Sequence, residues 1–289
     1  MDLITLLCIS AVSGLYTSLW GAFKDSPYEG FKPGTFPRSV YFSVVICLAL
    51  YVVPPLQTTL VSLGYFQVFF LVMGLERFLA ELYKGFFRSE DQTKYFVPSR
   101  ITFFGRHVQS DLVRYAVGAL LVAAVFAVLF ARVEVEDFLL FAVVAYGTGL
   151  IVSLGGAYKD APFEGFKPLK FQRSGFVLAV LSPLLYWIND GADPVTLGFL
   201  IYMNGGLERF SIEYYKTYVQ RNMSGKFRPD LCRQDEAVRT REKFHYGALI
   251  IIAALALVYW TELSDQTPSA QADMPQSSAF PSFCLTMPS

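Results

Sequence analysis

Residues 17–33 read TSLWGAFKDSPYEGFKP and residues 152–168 read VSLGGAYKDAPFEGFKP, an offset of 135. Each is followed by Phe, one further residue and Arg-Ser: Phe36, Arg38 and Ser39, then Phe171, Arg173 and Ser174. A second pair follows at an offset of 132, GLERFLAELYK at 74–84 and GLERFSIEYYK at 206–216. Self-similarity at this density marks an internal duplication, with three residues lost near Asn189–Pro194.

The setting of the repeat follows from composition. The chain has 289 residues, of which 54% are hydrophobic and 17% charged, against about 25% charged in a soluble domain. Disorder and a disulfide-stapled secreted scaffold are excluded by the apolar content and by a count of 4 Cys. A balance of 24 basic against 24 acidic residues speaks against nucleic-acid binding. The composition predicts an integral membrane protein.

A spanning helix needs about 20 mostly apolar residues. The pattern predicts spans at Leu3–Ala22, Tyr41–Leu60, Leu63–Tyr83, Leu112–Ala131, Phe138–Ala157, Gly175–Ile188, Val195–Tyr215 and Tyr246–Trp260. The second meets Pro54-Pro55 and the sixth is short and holds Pro183, so both have the look of re-entrant segments. Charge argues for eight spans instead. With both termini outside, every basic residue falls in or beside an inner loop except Arg77 and Arg209, inside helices, and Arg132, outside. The acids Asp2, Glu134, Glu136, Asp137, Asp190, Asp193, Glu262, Asp265 and Asp273 fall on the outer side. This is a strong positive-inside pattern.

The fold expected is therefore all-α: eight transmembrane helices in two tandem, parallel four-helix repeats. Residues 1–134 form the first, 135–262 the second, and 263–289 a disordered outer tail. An even number of spans per copy gives both copies one orientation, so their pseudo-two-fold axis lies along the membrane normal. The first span lacks a basic n-region and recurs mid-chain, so it reads as mature structure rather than a secretory signal. The location expected is a bacterial-type cytoplasmic membrane.

Each copy places two charged elements on the cytosolic side. The first is the segment after its first helix, with Lys24, Asp25, Glu29, Lys32 and Arg38, matched by Lys159, Asp160, Glu164, Lys167 and Arg173. Pro27, Gly30 and Pro33 predict a defined turn there. The second is the end of the third helix: Glu76, Arg77, Glu81 and Lys84, matched by Glu208, Arg209, Glu213 and Lys216. Arg77, Glu81 and Lys84 share one helix face, with Glu76 rotated by about 100°. At about 1.5 Å per residue, Glu76 lies inside the hydrocarbon region, where an ionisable residue is a candidate for function.

Arginines suit bidentate recognition of carboxylate or phosphate, and the acids are suited to order them or to hold Mg²⁺ beside a phosphate. The near-balance of charge equally fits an ion-pair lattice clamping the loop to the third helix. His107 and His245 both fall in or beside inner loops, and no phosphate-loop, dinucleotide, zinc-protease or CxxC motif occurs. The basic segment 216–245 suits anionic lipid or an acidic protein partner, and also serves to fix orientation. The function expected is an anion-binding transporter, channel or lipid-headgroup-handling protein, with membrane lipids and membrane proteins as partners. An enzyme acting on a phosphorylated lipid and an assembly subunit of a larger membrane complex are the alternatives.

Overall fold

A computed structural model of the chain describes residues 1–89, 93, 95, 97, 100–103, 106–189, 195–220 and 235–272. The side chains of Glu29 and Glu164, the acids Asp190, Asp193 and Asp273, the basic residues Arg221, Arg228 and Arg233, and the final segment 273–289 lie outside the described residues.

The described chain is almost entirely helical. Helix α1 (Leu3–Glu29) is followed by α2 (Arg38–Val52), α3 (Pro54–Ser62) and α4 (Tyr65–Leu82), the last continuing through a π-turn at Tyr83–Phe87. A small hairpin, β1 (Thr102–Phe103) with β2 (Arg106–His107), precedes α5 (Asp111–Leu129). Then come β3 (Glu134–Val135), α6 (Phe138–Glu164), α7 (Pro168–Leu181), α8 (Pro183–Tyr186), β4 (Val195–Thr196) and α9 (Leu197–Tyr214). Helix α9 continues through a π-turn at Tyr215–Val219, and the described chain closes with α10 (Asp235–Thr240) and α11 (Glu242–Ala272).

Matched sequence makes matched elements. Helices α1 and α6 each have 27 residues and end at a glycine in the left-handed region, Gly30 at φ 72° and Gly165 at φ 75°. The segment expected to be a turn from Lys24 is helical as far as Glu29, and likewise as far as Glu164. Pro27 and Pro162 fall in the last turns, where the missing N–H frees only one carbonyl of the preceding turn. The chain leaves the helix at the glycine instead, which has no Cβ to oppose positive φ.

Four helices among the described residues are long and apolar enough to cross a membrane: Leu3–Tyr28, Asp111–Leu129, Phe138–Pro162 and Val238–Asp265. A fifth is added if α2 and α3 are taken together, but they bend by 112° at Val53. The expected second span is thus no straight helix, because Pro54 cannot continue the ladder of α2 and instead starts α3. Helices α4 and α9, 18 residues each, carry three charged residues apiece and do not read as apolar spans. They are the centre of the molecule. Phe66–Glu76 of α4 is buried throughout, as is most of Gly198–Glu208 of α9.

The centre is set by two glycines. A Cβ on Gly74 would lie 1.9 Å from the Tyr202 carbonyl oxygen, and one on Gly206 would lie 2.0 Å from that of Phe70. Only glycine permits α4 and α9 to cross this closely. Gly14 does the same for α1 against Ser39, and Gly149 for α6 against Ser174.

Helix α11 runs past Trp260 and on to Ala272, through the first ten residues of the segment 263–289 expected to be a disordered tail. Glu262 accountably holds that extension, since its carboxylate accepts from the Tyr65 and Phe66 amides at the start of α4. Such a cap also suits the positive end of the helix dipole. The Met1 ammonium donates to the Val61 carbonyl at 2.7 Å, and β3 pairs with β4 near the start of α9. These contacts all lie at one end of the bundle, opposite the charged signature.

Candidate functional site

The charged residues of α4 and α9 converge where the two helices diverge from their crossing. Lys24 of α1 donates to Glu213 of α9 at 2.9 Å. The matching lysine, Lys159 of α6, meets the matching acid, Glu81 of α4, at 3.5 Å. Each copy of the signature thus sends its lysine to the other copy's glutamate. Arg209 adds a contact to Glu213 at 3.0 Å and Lys216 one at 3.9 Å, while Lys84 reaches Glu81 at 3.1 Å.

The deeper acids are held differently. Ser39 donates to Glu76 at 2.7 Å, and Ser174 donates to Glu208 at 2.8 Å. All four residues are buried. These serines follow the signature arginines Arg38 and Arg173 in sequence, and are the part of the site that charge-based reasoning passes over. Their recurrence at the same offset in both copies was the available signal.

One guanidinium nitrogen of the α4–α9 cluster is left over, as are nitrogens of Arg114, Arg173 and Arg241 elsewhere. Nη1 of Arg77 is buried and has no hydrogen-bond partner among the described residues, and neither has Oε2 of Glu208. The matching arginine, Arg209, is paired. Beside Arg209 and Glu213 lies a cleft of about 10 Å³, lined also by Tyr16, Thr17, Trp20 and Met73. That is about the space one water needs. Lys216, just beyond α9, has its ammonium pushed down to about 8 by desolvation, with Glu213 opposing and Lys24, Arg77 and Arg209 adding repulsion.

Not every predicted residue joins the cluster. Asp25 lies within electrostatic reach of Arg209, but Asp160 is drawn to Lys170 at 3.6 Å. Lys32, Lys167 and Arg38 are exposed. Arg173 lies over the Tyr215 ring at 5.1 Å. Among the described residues, no group of three or more His, Cys, Asp or Glu side chains is placed to hold a metal ion.

His245 of α11 joins an aromatic group at the same end, stacked on Phe23 at 4.6 Å and hydrogen-bonded to Tyr218. Comparison with protein-family models, curated proteins and solved structures yields no match to this chain.

Proposed function

We propose that the chain is an eight-pass membrane protein of two tandem parallel repeats, and that its charged cluster binds a phosphate-bearing ligand, for lipid handling or transport. The observation that carries the ligand is Arg77. A buried guanidinium nitrogen left unpaired is costly, of order 1–3 kcal/mol or more, and a phosphate oxygen would satisfy it with charge-assisted bonds. Lys159 and Lys84, both near Glu81, supply further positive charge at the same place.

The pass count is supported by where the helix ends meet. The start of α1 is tied to α3 through Met1, whereas the start of α2 is tied to the latter part of α4 through Ser39. Helix α2 therefore runs from the level of Glu76 toward the end where Met1 meets α3, and α3 turns away from it by 112°. The positive-inside pattern favours a cytosolic position for the cluster, and the reciprocal Lys24–Glu213 and Lys159–Glu81 pairs support a two-fold arrangement of the copies. In a protein whose native cysteines are replaced, Asp25→Cys and Asp160→Cys would then label from one face of the membrane and Asp137→Cys from the other. Labelling of Asp25→Cys and Asp160→Cys from opposite faces overturns the parallel arrangement.

The ligand is tested by titrating the full chain, in phosphatidylcholine nanodiscs, with dioleoyl phosphatidic acid. Arg77→Ala should weaken binding about ten-fold or more without loss of thermal stability. Unchanged binding overturns the reading. The ion pairs themselves favour a second reading, an assembly subunit in which the charges only lock the halves together. Under it, Glu76→Gln and Glu208→Gln lower stability and leave no ligand effect.

A further inference from the structure

The two copies differ at one telling place. Trp20 of α1 aligns with Gly155 of α6, and Met73 of α4 with Gly205 of α9. Trp20 and Tyr16 are both 3% exposed, and the Trp20 ring lies 4.5 Å from that of Tyr214, closing over Glu213. A Cβ at Gly155 would meet nothing within 4 Å, and its neighbours Ile151 and Leu154 are 60% and 62% exposed.

The fourth helices widen the difference. Helix α11 lies along α1, with Gly247 close against Leu19, whereas α5 packs on the π-turn, with Gly118 against Phe86 and Phe87. The charged groups feel this directly. The Glu213 side chain is 4% exposed and that of Glu81, its counterpart, is 40% exposed.

We infer that the open face of α6 at Ile151, Leu154 and Gly155 seats the acyl chain of a phosphate-bearing lipid whose headgroup contacts Arg77 and Lys159, and that Trp20 closes the matching place on α1. This rests on the anion reading above and gives the anion a tail. Gly155 stands one helical turn, about 6 Å, before Lys159, so the apolar face runs directly into the polar cluster. An apolar face alone is solvated by any lipid. What selects an anionic one is the positive charge at its end, with Nη1 of Arg77 lacking a hydrogen-bond partner there among the described residues and the headgroup phosphate able to take its two N–H bonds. A free phosphate would use the cluster but not the groove. Among the described residues, this place is open on α6 and closed on α1, so the stoichiometry is one lipid per chain.

The same nanodisc titration with dioleoyl phosphatidic acid, read by native mass spectrometry, tests this. Gly155→Trp should reduce retention about ten-fold, Gly155→Leu should reduce it less, and Trp20→Gly should admit a second lipid. If Arg77→Ala releases the lipid but Gly155→Trp does not, the groove is wrong and the anion site stands. If neither does, both readings fail. If Gly155→Trp lowers folded yield, Trp20→Gly decides, and a count of one lipid in that variant overturns the inference. Displacement of the lipid by an equal concentration of inorganic phosphate would show that the tail contributes nothing, and would overturn it too.

Discussion

The Lys24 ammonium lies 2.9 Å from the Glu213 carboxylate, 189 residues along the chain, so a buried acid of one charged stretch is neutralised by a lysine of another. Glu213 also takes Arg209 at 3.0 Å, and its side chain is 4% exposed. Lys216 is a third cation at 3.9 Å, so removing the charge of Glu213 leaves three cations without their acid in a low-dielectric setting. Glu213→Gln should therefore cost on the order of 3–5 kcal/mol. Glu81 meets Lys159 and Lys84, with its side chain 40% exposed, and Glu81→Gln should cost about 1 kcal/mol or less. Thermal unfolding of the two variants in one detergent checks this, and equal losses would contradict the difference in burial.

Much of this arrangement was legible in the sequence. The offset of 135 shows that Lys24 and Lys159 are counterparts, and helical spacing puts Arg77, Glu81 and Lys84 on one face. Spacing along one helix says nothing about a partner on another, however. That Lys24 pairs across the copies depends on the close crossing at Gly74 and Gly206, a packing event with no local pattern of its own. The Trp20 to Gly155 mismatch is equally plain in the two stretches, but its meaning depends on where α5 and α11 pack. The segment from Lys24 to Glu29 reads as a turn because proline usually breaks helices, and here Pro27 falls in the final turn, where breakage costs least.

Ser39 and Ser174 satisfy one oxygen each of Glu76 and Glu208. Ser39→Ala and Ser174→Ala should each cost about 1–3 kcal/mol by orphaning a buried carboxylate oxygen. The two sites share no partner, so the double variant should lose close to the sum. Thermal unfolding again reads the result, and a neutral effect of either would show that water replaces the hydroxyl.

The crossing of α4 and α9 tolerates no Cβ, with backbone oxygens 1.9 and 2.0 Å from where one would stand. Gly74→Ala and Gly206→Ala should each destabilise by at least about 1–3 kcal/mol, seen as a lower folded yield by size-exclusion chromatography. Gly21→Ala, where a Cβ meets nothing within 4 Å, is the matched control and should behave like wild type.

Anion binding should weaken as pH rises through about 8, where the Lys216 ammonium loses its proton. A phosphodiester headgroup has no second proton to lose, so the charge of dioleoyl phosphatidylglycerol is constant across that interval. Affinity for this lipid measured at about pH 7 and about pH 9 should fall, and Lys216→Arg, which stays charged across this range, should flatten the profile. A flat wild-type profile would place Lys216 outside the anion's reach.

The most direct test of the central claim is to release the protein gently from its own membrane and identify what remains bound by native mass spectrometry. The account predicts a phosphate-bearing lipid, retained by the wild type and lost from the Arg77→Ala, Arg209→Ala double variant. A stoichiometric protein partner with no small ligand, or a lipid retained by the double variant, would contradict it.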